Sequence, residues 1–245
     1  MTLPASIAAL GDSITRAFAV CESSGDCPQA SWSTGTAPDL GSHQQRVTEA
    51  RGRRPQVHNL AVSGATVSGL DGQARKAVAT KAEYVTVLIG ANDACAPTER
   101  AMTPVAEFET AFVGAMDTLV RGLPQARVLV VSIPDLARLW VVGKGVEDVR
   151  ATWGKFGICQ SMLADPTSTS DAANARRARV RDRVIAYNRV MAAACQRHPT
   201  CRWDGNAVFD YDFSLDMVSP RDYWHPSMLG QRTLAEISWK AGYWA

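Results

Sequence analysis

The chain has 245 residues, 46% of them hydrophobic and 20% charged, enough to bury the core of one large α/β domain. A net charge of +2 excludes nucleic acid or an anionic membrane as the main electrostatic partner. No apolar run approaches the roughly 18 residues of a spanning helix, so stable membrane insertion is excluded as an expectation too.

Met1-Thr2-Leu3-Pro4 lacks the basic start and apolar centre of an export signal. The expectation is that a signal has been removed and that Met1 is an added start residue. Ile7–Leu10 then reads as a buried strand that runs into Gly11-Asp12-Ser13-Ile14, with a helix starting near Ile14-Thr15. Residues 21–41 are rich in Ser, Gly, Pro and Asp and read as a long ordered loop that walls the site. A second buried strand is expected over Val57–Val62 before Ser63-Gly64, a third over Val85–Ile89 before Gly90, and a fourth over Val128–Val131 before Ser132.

Between the strands lie helical spacings such as Phe108, Phe112, Ala115 and Leu119. Alternation of strand and helix predicts a parallel sheet covered on both faces, with loops after the strand carboxyl ends gathered on one rim. Asp135–Asn174 reads as a second irregular insertion on a single domain spanning 1–245, since no repeats or linker-like stretches divide it. The run from Arg176 to Arg183 leads into Val184, Tyr187 and Met191 at helical spacing and reads as a solvated helix face.

Six cysteines fall into the groups Cys21/Cys27, Cys95/Cys159 and Cys195/Cys201. Many connectivities are open to six cysteines, and pairing in chain order closes two short loops and one long loop without crossing. Three disulfides imply an oxidising compartment and a secreted chain. A zinc site of Cys195, His198 and Cys201 competes, without a fourth ligand at finger-like spacing.

Asp222 and His225 lie three apart, so on a turn or short helix they face the same way. They supply the base and the orienting group that a serine on a glycine turn needs. The order Ser13, Asp222, His225 fits none of the common serine-hydrolase layouts. Three oxyanion donors are expected: the backbone N–H of Ser13, that of Gly64, where no Cβ obstructs a substrate, and the side-chain amide of Asn92. Asp12 and Asp93 read as turn-holding residues. His58 is expected to be packed in its strand, and His43 and His198 to be solvated in polar loops. Trp224, Trp32 and Trp140 are candidates to line a substrate groove.

These blocks resemble the SGNH (GDSL-type) hydrolases, named for a Ser, a Gly, an Asn and a His. They are matched here by Ser13 in Gly-Asp-Ser, Gly64 in Asn59-Leu-Ala-Val-Ser-Gly64, Asn92 in Gly-x-Asn-Asp and His225 in Asp-x-x-His. The resemblance implies a flavodoxin-like three-layer α/β/α sandwich and cleavage of carboxylic esters through an acyl-serine, with no metal or cofactor. In some such relatives the aspartate is absent and a backbone carbonyl orients the histidine. Ser31-Trp32-Ser33, Cys95 after Asn92-Asp93, and His225-Pro226-Ser227 also resemble the phospholipase B-like branch and nearby secreted bacterial lipases and esterases.

A monomer acting on a small-molecule or lipid acyl ester is therefore expected. A phospholipase or lysophospholipase, an acyltransferase using the same site, and a non-catalytic lipid- or glycan-binding module are the alternatives. Acetylated polysaccharide, phospholipid and triacylglycerol remain equally open as substrates, because specificity lies in loop shape.

Overall fold

A computed structural model describes residues 2–22 and 25–244; Met1, read above as an added start residue, lies outside them, as do Ser23 and Ser24 of the long loop and Ala245. Five strands, β1 (Ser6–Gly11), β2 (Gln56–Asn59), β3 (Tyr84–Leu88), β4 (Arg127–Val130) and β5 (Cys201–Trp203), form one sheet. Its order is β2-β1-β3-β4-β5 and every pairing is parallel. β1 and β3 are buried along their whole length, as expected for central parallel strands covered on both faces.

Two strand expectations need correction. β2 ends at Asn59, and its residues are only partly buried because it is an edge strand with a single neighbour. Beyond it the chain still bonds β1 through Leu60 N–H to the Ala9 carbonyl (2.8 Å), while Val62 turns outward and is half exposed. β5 was not expected at all. It has three residues, too few for a periodic signal.

The helices are α1 (His43–Arg51), α2 (Leu70–Thr80), α3 (Ala91–Ala94), α4 (Val105–Gly122), α5 (Leu136–Gly143), α6 (Glu147–Phe156), α7 (Gln160–Leu163), α8 (Asp171–Gln196) and α9 (Met228–Ala241). α4 buries Phe108, Phe112, Ala115 and Leu119 on one stripe, at the spacing read from the sequence. The stretch 135–174 is not irregular: it is largely α5, α6 and α7. Acidic residues occupy the first turn of α6, Gly157 closes its end in the left-handed region, and Val149 and Trp153 anchor it in the core. None of the helices among the described residues is long and apolar enough to cross a membrane.

The bridges are Cys21–Cys27, Cys95–Cys159 and Cys195–Cys201, the chain-order pairing. With both its thiols bridged to each other, the Cys195 and Cys201 pair cannot ligate zinc. The basic run lies on α8, where Arg179 pairs with Glu99 (2.6 Å) and Arg181 with Asp135 (2.7 Å). Arg177 departs from the solvated reading: it is buried and donates to the Ser168 carbonyl (2.6 Å) and to Asn174 (2.7 Å).

His43 overturns the expectation of a solvated loop histidine. Ser42 caps α1 with a reciprocal Ser42–Gln45 box, which turns His43 inward to full burial. There its Nδ1 lies 2.8 Å from the Tyr84 hydroxyl and its Nε2 2.9 Å from Ser238 Oγ. His198 is also not free in solvent; it lies half-buried, 3.8 Å from Asp117. His58 is half-buried in β2, with a buried Nε2 that has no partner among the described residues.

Burial pushes His43 down to about 3, helped by the nearby Arg46. Its folded value thus lies below the ordinary 6.5 of an unfolded chain, so as the pH falls below 6.5 the unfolded state takes up the proton first. Stability is lost over that window, at up to about 1.4 kcal/mol per pH unit. We expect urea unfolding between pH 6.5 and 4.5 to show this slope in the wild type relative to His43→Gln, which has no imidazole to titrate. Equal slopes would place the ring in water.

Candidate active site

The carboxyl ends of β1, β2 and β3 carry the first three blocks onto one rim. β1 ends at Gly11, whose φ of +147° and whose closeness to Leu88, only 2.1 Å from the place a Cβ would occupy, admit glycine alone. The chain then turns through Asp12 and Ser13. The expected helix near Ile14 does not form: one helical turn closes through Arg16 N–H to the Asp12 carbonyl (3.1 Å) and Phe18 N–H to the Ser13 carbonyl (3.0 Å). It is ended by left-handed Ala17 and Ala19.

Two buried amides hold this turn in place of a helix. Gln73 of α2 accepts from the Gly11 N–H (2.8 Å) and donates to the Gly11 carbonyl (2.9 Å). Gln231 of α9 donates to the Ile14 carbonyl (2.8 Å) and accepts from the Trp32 N–H (2.9 Å). Sequence reasoning missed both. The available signal was a glutamine within the buried stripe of each helix, beside Leu70 and Ala74 in one case and Leu234 and Ala235 in the other. Gln231→Leu leaves two buried backbone groups unsatisfied and is expected to cost roughly 2 to 4 kcal/mol of stability. Urea unfolding measures it, and a change under about 0.5 kcal/mol would mean that other groups take over these bonds.

Asp12 is fully buried. One oxygen accepts from the Ile14 N–H (2.9 Å), and the other has no partner among the described residues. Burial pushes its carboxyl up to about 7; the Ile14 N–H and His225 pull it down, and Asp93 adds to the rise.

Ser13 Oγ lies 2.8 Å from His225 Nε2, and His225 Nδ1 lies 2.6 Å from Asp222 Oδ2. The other Asp222 oxygen accepts from the backbone N–H groups of Trp224 (2.9 Å) and His225 (3.1 Å). One carboxylate thus caps the turn that presents the ring and also meets the ring. The turn is locked further by Ser219 N–H to the His225 carbonyl (2.7 Å), by Trp153 Nε1 to the Tyr223 carbonyl (2.8 Å), and by Ser219 Oγ to the Ala19 carbonyl (2.6 Å) beside the serine. The Phe18 ring packs against the imidazole at 4.8 Å between centroids.

Gly64 has a φ of +80° and open space where a Cβ would stand. Its N–H and that of Ser13 have no protein partner among the described residues. Asn92 sits on α3 after Gly90 and donates one side-chain hydrogen to the Ala65 carbonyl (2.9 Å), leaving its second unspent. Asp93 ties the same two blocks together, accepting from the Val67 N–H (2.9 Å) and the Thr103 hydroxyl (2.8 Å). Burial raises its carboxyl above the usual range, against these two bonds.

Of the three tryptophans expected at a groove, Trp224 lines one. Trp32 is fully buried and donates to Thr15 Oγ1 (3.2 Å), so it supports the serine turn from below. Trp140 donates to the Pro166 carbonyl (2.8 Å), and its ring is covered by Lys144 (3.9 Å) and Arg177 (4.1 Å). Both indole N–H groups are thus engaged elsewhere, that of Trp140 by loop 164–170 and that of Trp32 by the serine turn. The long 21–41 loop meets the rim through Asp26, which pairs with Arg16 (2.8 Å) and accepts from Ser63.

Several solved structures share this fold. The crystal structure of TesA is 18% identical, covering 96% of this chain and 97% of its own, with a TM-score of 0.55. Axe2, an acetylxylan esterase from Geobacillus stearothermophilus, is 17% identical over 97% and 94%, with a TM-score of 0.56. LAE5, an alpha/beta hydrolase enzyme from the metagenome of Lake Arreo, Spain, is 19% identical over 97% and 94%, with a TM-score of 0.58. At these identities the likeness concerns the α/β fold. None of the curated proteins matches the chain in sequence. The GDSL-like Lipase/Acylhydrolase family model matches residues 9–233, nearly the whole chain with all four blocks inside it, and the protein belongs to that family.

Proposed function

We propose that the protein is a secreted serine ester hydrolase that cleaves carboxylic acyl esters through an acyl-Ser13 intermediate. The observation that carries this reading is the unbroken chain Ser13 Oγ, His225, Asp222 at 2.8 and 2.6 Å. His225 Nε2 takes the hydroxyl proton as Oγ bonds to the carbonyl carbon. The carbonyl oxygen becomes an oxyanion facing the Ser13 and Gly64 N–H groups and the free hydrogen of Asn92. Collapse breaks the bond to the leaving oxygen, and His225 returns the proton to that oxygen as the alcohol departs. Water then repeats the sequence on the acyl carbon, with His225 again as base, and frees the acid and Ser13. Three disulfides support the extracellular part of the reading.

An organophosphonate or sulfonyl fluoride tests the nucleophile: mass mapping is expected to place one label on the peptide containing Ser13. A label on another residue would overturn the assignment.

Asn92→Ala removes one neutral oxyanion donor, for an expected loss of roughly 10²- to 10³-fold in kcat. KM moves far less, because the bond strengthens only as charge develops. A rise in KM alone would make Asn92 a ground-state contact. The variant also frees the Ala65 carbonyl, so thermal unfolding must accompany the kinetics.

A further inference from the structure

We propose that an apolar groove beside Ser13 holds a medium-length acyl chain, so that esters of the octanoate kind are favoured over acetates; this rests on the ester-hydrolase reading of the site. The groove is framed by direct sequence neighbours of the reacting groups. Ile14 follows Ser13, Ala91 precedes Asn92, and Trp224 and Pro226 flank His225; all four line it. Leu136, Leu139 and Val142 of α5 extend the lining, with Met217 and Leu234.

Its two charged side chains are already engaged. Arg138 donates through Nε to the Phe213 carbonyl (2.8 Å) and lies 3.6 Å from Asp212. Asp135 caps α5 at the Ala137 N–H (3.0 Å) and pairs with Arg181 (2.7 Å). What the groove offers a substrate is therefore hydrocarbon surface, which suits an alkyl chain and not the hydroxyls of a sugar.

The ester has two sides that could enter. The leaving oxygen must stay at His225 Nε2 to receive its proton, and the alcohol must then depart so that water can take its place. The acyl group remains bound through both steps, and an apolar groove serves the group that stays.

A buried methylene is worth about fourfold in an equilibrium constant. Half-burial of the six extra carbons of octanoate then favours it over acetate by roughly 60-fold. In a p-nitrophenyl ester series, kcat/KM is expected to rise tenfold to 100-fold from acetate to octanoate, in round order of magnitude. A flat or falling series, with hydrolysis still lost in Ser13→Ala, would overturn the groove and leave the catalytic reading standing.

Leu139→Trp and Val142→Phe fill the groove from α5. Either variant, with folding verified by circular dichroism, is expected to lower the octanoate-to-acetate ratio at least about tenfold; an unchanged ratio in both overturns the assignment. Alkyl acetates of growing alcohol length separate the two sides of the ester. A preference that follows the alcohol would overturn the acyl assignment. Calorimetric titration of octanoate into Ser13→Ala tests the groove without turnover. Binding that Leu139→Trp weakens supports the proposal, and absence of binding counts against it whether or not any ester is hydrolysed.

Discussion

His225→Ala is expected to lower kcat by on the order of 10⁶-fold, and Ser13→Ala to lower it equally. The size follows from how the two groups act. In the proposed mechanism Ser13 Oγ is a weak nucleophile until the imidazole 2.8 Å away takes its proton, and no other histidine among the described residues reaches it. His43 is sealed between Tyr84 and Ser238, His58 lies in the edge strand, and His198 sits against Asp117. Because in that mechanism each residue is useless without the other, the double variant is expected to lose no more than either single one. The residual rate expected is that of the proposed oxyanion donors and of binding, which outlast a lost triad. Initial rates on one p-nitrophenyl ester from pH 5 to 9 measure it. Near-normal turnover in His225→Ala at any pH in that range would remove the catalytic reading as a whole.

How much of this was legible without coordinates depended on whether the determining interactions were local. β1 and β3 could be read because buried parallel strands are continuous apolar runs, and Gly11 and Gly90 marked their ends. The blocks on the rim followed from that alternation, since the loops after parallel strands share one side. Local rules failed where partners lie far apart in the chain. His43 looks solvated beside Ser42 and Gln44, and is buried by Tyr84 and Ser238. Trp32 looks like a groove residue in a polar loop, and is claimed by Thr15 from beneath the serine. The missing helix after Ser13 has the same origin. Ala17 and Ala19 adopt left-handed backbone, which alanine does not prefer. Nothing in their identity announces it; the turn is imposed by Gln73, Gln231 and the Cys21–Cys27 loop. Trp32 and Trp140 are drawn away from the rim for this reason, while Trp224 is held near it by its place between Asp222 and His225.

Asp222→Asn is expected to lose up to roughly 10⁴-fold in kcat with the fold intact. The structure explains why asparagine is the sharper test. Asp222 does two things: one oxygen accepts from the Trp224 and His225 N–H groups, and the other meets His225 Nδ1 at 2.6 Å. Alanine removes both and confounds a collapsed turn with a lost electrostatic partner. Asparagine keeps an oxygen for the backbone N–H groups but turns an NH₂ toward Nδ1. That NH₂ can only donate, so the ring must carry its proton on Nε2, where it faces Ser13 and cannot accept. The imidazolium formed during attack also loses its counter-charge. If a backbone carbonyl could hold the ring instead, as in relatives lacking the aspartate, either change would cost about tenfold or less, near the 1.4 kcal/mol of one modest hydrogen bond. Among the described residues no carbonyl bonds Nδ1; the carboxylate does. We therefore expect Asp222→Asn and Asp222→Ala to fall together by several orders of magnitude, with thermal unfolding displaced more in Ala than in Asn. A loss within tenfold for Asp222→Asn, in a protein that unfolds normally, would reduce the site to a Ser13–His225 dyad.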